Sequence, residues 1–163
     1  MASRLGAALH AKGWMITTAE SCTGGGIAEA ITAVAGCSAW FDRAFVTYSY
    51  EAKVEMLGVS QASLDEHGAV SDTIVQQMAR GALAQSRAQV AIAVSGIAGP
   101  AGGTPEKPVG TVWIAWATRD SSRDAAQENS VVISKRYLFL GDREAIRQQT
   151  VAKAMAELLH NLR

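Results

Sequence analysis

Trp14-Met15-Ile16-Thr17-Thr18-Ala19-Glu20-Ser21-Cys22-Thr23-Gly24-Gly25-Gly26-Ile27-Ala28-Glu29-Ala30-Ile31 reads as strand, turn and helix in that order. The apolar start suits a short strand, about Trp14–Thr18. The alanine-rich end suits a helix, Gly26–Ala35, closed by Gly36. Two candidate nucleophiles, Ser21 and Cys22, therefore sit on a strand-to-helix turn. Glycines and hydroxyls there leave backbone N–H groups open, and the helix dipole turns its positive end toward them. Such a turn suits an anion or an oxyanion. The plainer alternative makes Ser21 or Thr23 the helix N-cap. The spacing is not the Walker pattern, the dinucleotide fingerprint or the Gly-x-Ser-x-Gly elbow.

Working outward, Leu5, Ala8 and Leu9 recur at helical spacing before Gly13. Downstream, Ala44–Tyr48 predicts a second strand, and Glu51–Leu57 and Ser63–Glu66 predict short helices. Ser71 or Asp72 then caps a longer helix, Thr73–Ser86, with Ile74, Val75, Met78, Ala79 and Leu83 on one face. Val90–Ser95 is a continuous apolar run, the pattern of a strand covered on both faces. A Gly/Pro-rich loop, Gly96–Pro108, follows; loops of that length inside a domain are usually functional. Thr111–Ala117 and Val131–Leu140 predict two more strands, with the polar stretch Thr118–Asn129 as a hairpin connection. Gly141 and Asp142 open a last helix to about Leu162. This order predicts one α/β domain over residues 1–163, three layers α/β/α around a mixed, mostly parallel sheet with an antiparallel C-terminal strand pair. In such sheets ligands bind at the carboxyl ends of the strands. The turns carrying Ser21, Tyr48 to Lys53 and Ser95 to Gly103 should then meet on one edge.

The chain has 163 residues, 48% of them apolar and 18% charged, and a formal net charge of zero. That supports a folded core and argues against a general nucleic-acid or anionic-membrane binder, either of which carries a basic surplus. No stretch approaches the roughly 20 apolar residues of a spanning helix. Two cysteines, Cys22 and Cys37, without an apolar leader point to free thiols in a reducing, cytoplasmic setting. No metal motif stands out. Trp40-Phe41 is a candidate exposed anchor for a partner subunit.

The chemistry-bearing constellation is Ser21, Tyr48 and Lys53. A serine attacks an amide only when a base takes its proton. His10 and His160 fall in terminal helices and His67 in a turn, so a Ser-His-Asp triad is poorly supplied. Lysine can serve if desolvation lowers its pKa from about 10.4 toward roughly 7–8. Tyr48 can then relay the proton or orient Lys53, and Cys22 is a rival nucleophile. On the second glycine stretch Ser95, Gly96, Gly99, Gly102, Gly103 and Thr104 offer close approach and an amide nest. Lys107 and Arg143, the latter at the start of the last helix, offer positive charge for a phosphate.

Five stretches carry a resemblance: Ala19-Glu20-Ser21-Cys22-Thr23-Gly24-Gly25; Val46-Thr47-Tyr48-Ser49 with Glu51-Ala52-Lys53; His67-Gly68-Ala69-Val70-Ser71; Ser95-Gly96-Ile97-Ala98-Gly99-Pro100; and Lys107-Pro108-Val109-Gly110-Thr111-Val112. Together they resemble the CinA C-terminal domain family, from about Leu5 to Leu159. The resemblance implies a stand-alone nicotinamide mononucleotide deamidase that needs no cofactor. It would hydrolyse the carboxamide to nicotinic acid mononucleotide and ammonia in pyridine nucleotide salvage. It places the family's serine, tyrosine and lysine on Ser21, Tyr48 and Lys53; to these we add, from the turn itself, backbone N–H groups at Cys22, Thr23, Gly24 and Gly25 to hold the oxyanion. It also implies a homo-oligomer in the short form without the extra N-terminal domain. Tyr50 stands where the family commonly has Asn. A non-catalytic nucleotide-binding regulatory module is the competing reading; it would keep the glycine loops without needing Lys53.

Overall fold

The computed structural model describes residues 1–119 and 130–162. Eleven elements are defined among them, apart from a 3₁₀ turn at Cys37–Ala39: α1 (Ala2–Ala11), β1 (Ile16–Glu20), α2 (Gly26–Thr32), β2 (Phe41–Val46), α3 (Tyr50–Leu57), α4 (Gln61–His67), α5 (Asp72–Ala84), β3 (Val90–Gly96), β4 (Thr111–Arg119), β5 (Ser130–Leu138) and α6 (Arg143–Asn161). The expected connection Thr118–Asn129 lies largely outside the described residues. No described helix is long and apolar enough to cross a membrane.

Strand order is β2-β1-β3-β4-β5, with β2, β1 and β3 parallel and β4 antiparallel to both of its neighbours. The three-layer α/β/α expectation holds. The two faces of the sheet are built differently, because side chains alternate along each strand. On one face Ile16, Val90, Ile92, Val94, Ile114 and Trp116 pack against α1, α2 and α6. On the other, Ala91, Ala93, Ala115 and Ala117 leave room for α5 to lie close. Fully burying one Val, Leu or Ile stabilises by roughly 1.5–3 kcal/mol, so the branched face supplies most of the hydrophobic drive. The alanine face sets how near α5 and its neighbours sit.

The chain leaves β1 through α2 to reach β2 on one side. It then crosses by α3, α4 and α5 to β3 on the other side of β1. The carboxyl ends of β1 and β3 therefore flank the point where the winding reverses, which is where open α/β sheets form a crevice.

Several boundaries differ from the sequence reading. β1 runs Ile16–Glu20 rather than Trp14–Thr18. The Trp14 N–H is drawn to Leu9 O at 3.0 Å and the Met15 N–H to Gln89 Oε1 at 2.8 Å. At the other end, Glu20 continues the ladder opposite Val46 and Val94. β2 stops at Val46 instead of Tyr48, because the Thr47 and Tyr48 carbonyls turn to a side chain from α3. α2 ends at Thr32, whose hydroxyl donates back to Ala28 O and Glu29 O. Ser71, not Asp72, caps α5, accepting from the Ile74 N–H. Trp40 is no exposed anchor: it is buried, with its ring on Gly6.

One close approach matters for the site. A Cβ on Gly81 in α5 would lie 2.0 Å from Leu57 O, the last residue of α3. Gly81 thus lets α3 seat against α5, and α3 carries Lys53. We expect Gly81→Ala to lower stability by about 1–3 kcal/mol through overpacking against backbone. Thermal denaturation reads that loss directly, and a fall in turnover of the folded protein should accompany it.

Candidate active site

Lys53 lies one turn into α3 and is 1% exposed, the largest fully buried side chain in the molecule's described part. Its helix begins at Ser49, whose hydroxyl accepts the Ala52 N–H at 3.0 Å. That cap fixes the first turn of α3 at the end of β2, and the lysine side chain enters beneath the carboxyl edge of the sheet. There its Nζ sits 3.1 Å from Ser21 Oγ, 2.7 Å from Thr47 O and 3.4 Å from Tyr48 O. The carbonyls are acceptors only, so they take N–H groups. A neutral amine has two N–H groups and one lone pair; with the N–H groups on the carbonyls, the lone pair is left for the Ser21 hydroxyl. Burial disfavours the charged amine and pulls its pKa from 10.5 down to about 8.

Ser21 is 9% exposed, at the first position after β1. Its N–H donates to Val94 O at 3.1 Å and its carbonyl accepts from the Gly24 N–H at 3.0 Å. The Gly24 amide is thereby used within the turn, and the Gly26 N–H likewise donates to Thr23 O. Of the expected oxyanion donors, the N–H groups of Cys22, Thr23 and Gly25 donate to no backbone oxygen among the described residues. The Cys22 thiol points into the core instead and is 5% exposed. Burial, aided by the nearby Glu20 carboxylate, pushes its pKa up to about 12. A thiol so held is no nucleophile at neutral pH.

The other expected residues divide into two groups. Arg143, the first residue of α6, donates to Gly99 O at 2.8 Å and to the Tyr48 hydroxyl at 3.0 Å. It thereby joins the glycine loop to the β2–α3 turn. The Tyr48 side chain is 61% exposed; its hydroxyl is bonded to Arg143 rather than to Lys53 or Ser21, and only its carbonyl meets the lysine. Tyr50 anchors the opposite rim, its hydroxyl accepting the Ala69 N–H at 3.2 Å. Ser95 Oγ donates to Ala69 O at 2.8 Å, and Lys107 Nζ donates to His67 O at 3.1 Å. So Ser95 and Lys107 stand where β3, the 67–70 turn and the loop meet.

Gly96, Gly99 and Gly103 serve the loop more than a ligand. A Cβ on any of them would lie within 3 Å of Val109, just before β4, or of Val112 in β4. Thr104 builds a turn, its N–H donating to Lys107 O and its Oγ1 accepting the Lys107 N–H. Gly102 and Gly103 are exposed and bear no contact to Ser21 or Lys53 among the hydrogen bonds of the described residues.

Sequence reasoning passed over two residues. Glu20 is fully buried, with its carboxylate bonded on both sides of the turn. Arg147, one turn after Arg143 in α6, donates to Thr23 O at 2.9 Å. The signal for Glu20 was a carboxylate directly before a hydroxyl- and glycine-rich helix start, where acids favour the dipole. Arg147 had no signal, since its partner is 124 residues away.

A model of the CinA C-terminal domain matches residues 1–162. The chain belongs to the CinA C-terminal domain family. The nicotinamide-nucleotide amidohydrolase PncC of Escherichia coli strain K12 is 52% identical over 158 residues, spanning 97% of this chain and 90% of that protein. The Pseudomonas putida protein of the same name is 54% identical over 159 residues, 98% of this chain and 93% of the other. Among solved structures, a CinA superfamily protein from Klebsiella pneumoniae superposes with a TM-score of 0.89 at 44% identity, covering 99% of this chain and 94% of that one. The family's fold, a mixed sheet between two helical layers, is the one described above.

Proposed function

We propose that this CinA-family chain is a nicotinamide-nucleotide amidase, converting nicotinamide mononucleotide and water to nicotinic acid mononucleotide and ammonia. One observation carries the reading: a buried lysine amine 3.1 Å from a serine hydroxyl at the sheet's switch point. Near-full-length relatives named as nicotinamide-nucleotide amidohydrolases supply the substrate.

Neutral Lys53 takes the Ser21 proton as Oγ attacks the carboxamide carbon. The carbonyl electrons move to oxygen, and the Cys22 and Thr23 amides hold the oxyanion; losing one such donor typically costs roughly 3–4 kcal/mol of barrier. The Lys53 ammonium then passes its proton to the nitrogen as the C–N bond breaks, releasing ammonia and leaving an acyl ester on Ser21. Water, deprotonated by the same amine, hydrolyses the ester. Tyr48 acts by its carbonyl on Lys53 and by its ring and hydroxyl at the rim.

The phosphate is taken by Arg143, with Lys107 and the loop backbone at Gly99 and Gly102 alongside. Among the described residues Arg143 gives two of its N–H groups to protein oxygens, so its fork has donors to spare. Arg143→Ala should raise KM for the mononucleotide about 10- to 100-fold, the worth of hydrogen bonds to a charged group, with a smaller change in kcat. The free nucleoside, lacking the phosphate, should show no such dependence on Arg143.

The same reading takes the protein as a homo-oligomer of the cytoplasm. Exposed apolar residues on both edge strands, Val46 on β2 and Val131 and Ile133 on β5, support self-association, and light scattering on the purified chain tests it. The decisive assay adds nicotinamide mononucleotide and follows ammonia and nicotinic acid mononucleotide together. Binding of the mononucleotide without ammonia release would favour the regulatory-module reading instead.

A further inference from the structure

We infer that Glu20 is a positioning residue, whose buried carboxylate clamps the turn that presents Ser21 and the Cys22–Thr23 amides to the substrate. The inference rests on the amidase reading above but assigns a role to a residue outside the serine–lysine pair. Glu20 is 0% exposed. Oε1 accepts from Thr18 Oγ1 at 3.1 Å and from the Ala28 N–H at 2.9 Å. Oε2 accepts from Thr23 Oγ1 at 2.6 Å and from the Ile27 N–H at 3.0 Å. A carboxylate has about four acceptor positions, and all are taken. Glu20 therefore has no capacity left to bind substrate or to act as a base.

Its four partners lie on three pieces of chain: β1, the turn, and the first turn of α2. Capping alone does not need this arrangement. α3, α4, α5 and α6 are each capped by the Ser or Asp directly before them. The residue before α2 is Gly25, which has no side chain to cap with. A carboxylate reaching from the strand ties both ends of the Ser21 turn together, which a local cap cannot do. An isolated buried carboxylate is very unfavourable, but charge-assisted hydrogen bonds of this number and length offset much of that. The clamp also uses the amides at the positive end of α2. An incoming phosphate is thereby left to cations such as Arg143 and Lys107.

Glu20→Gln is the informative variant. Its amide nitrogen cannot accept, so an α2 N–H or a threonine hydroxyl loses its partner while volume is kept. We expect kcat for nicotinamide mononucleotide to fall about 10- to 100-fold per folded molecule, with KM within about threefold. The pH at which the rate levels off should not move, because Lys53 is untouched. Thr23→Val should fall in the same direction and Thr23→Ser, which keeps the hydroxyl, should recover most of the loss. Hydrogen exchange gives a readout independent of turnover: the Ile27 and Ala28 amides should exchange faster in Glu20→Gln than in the parent, with the β3 amides unchanged. A Glu20→Gln protein that melts earlier but keeps parental kcat would overturn the proposal. If the parent itself releases no ammonia, the amidase reading fails, and exchange alone decides the clamp. Faster exchange confined to residues 22–28 then supports it, and unchanged exchange there refutes it.

Discussion

Lys53→Met should lower kcat for nicotinamide mononucleotide by about 10³-fold, the range of a lost general base, and should make the fold more stable at pH 7. The two effects share one cause. The native amine titrates at about 8 and the unfolded one at 10.5. Between those values the unfolded chain holds a proton that the native chain does not, so stability rises with pH across that window. Below about pH 8 both states are protonated, and the native state bears the full cost of a buried ammonium. At about 1.4 kcal/mol per pH unit, a fall from 10.5 to about 8 is roughly 3 kcal/mol. Methionine fills the same space uncharged, while the Thr47 and Tyr48 carbonyls lose a donor. A net gain of at most about 2 kcal/mol at pH 7 results, shrinking as the pH approaches 10. Urea denaturation at pH 7 and pH 9.5 measures both. In the parent enzyme kcat/KM should climb about tenfold per pH unit below 8 and then level. A methionine variant less stable than the parent at pH 7 would mean that the buried amine is favourable to folding, and the neutral-base mechanism would lose its footing.

Ser21→Ala should remove at least about 10³-fold of kcat while leaving mononucleotide affinity within about threefold, because the hydroxyl acts on the reacting carbon and not on the phosphate. Quench-flow followed by mass spectrometry should find a nicotinoyl-nucleotide ester on Ser21 in the parent and none in the variant. The adjacent Cys22→Ala keeps the backbone N–H and should hold kcat within about threefold, at a stability loss of about 1 kcal/mol for a small core side chain. The contrast is sharp because the Ser21 hydroxyl is bonded to the amine and the Cys22 thiol is buried in the core. Ser21 meets Lys53, and Cys22 is buried as part of the core cluster under α1, α2 and α6. If Cys22→Ala were inactive and Ser21→Ala active, the roles would be reversed.

The alternation of apolar, glycine-rich and helical segments in the chain already specified a doubly wound sheet, and with it the meeting of the turns after β1, β2 and β3. Ser21 and Lys53 could be paired from sequence for that reason: each is a few residues past a strand end, and strand ends on one edge converge. Helix starts were legible where the cap is local, as at Ser71 and Asp142, since a hydroxyl or carboxylate beside the first turn acts over a few residues. The strand boundaries were not. β1 continues through Glu20, whose low β propensity is overridden by ladder bonds to Val46 and Val94 and by four donors to its carboxylate.

Three features belong to the tertiary structure alone. The glycines of residues 96–103 looked like room for a ligand, yet Gly96 is required by its pairing with Val112 across β3 and β4, and Gly99 and Gly103 by the packing of the loop on Val109. Tyr48 sits at a strand end in either view, but only its bond to Arg143, 95 residues on, decides that its hydroxyl faces the rim. The low pKa of Lys53 depends on its burial, and the groups that meet its amine, Ser21, Thr47 and Tyr48, come from the turns after β1 and β2. Sequence determined the order and kind of the elements because periodicity and capping are short-range. The direction of each side chain, the depth of the amine and the clamp at Glu20 required the fold, because each arises between residues the chain keeps apart.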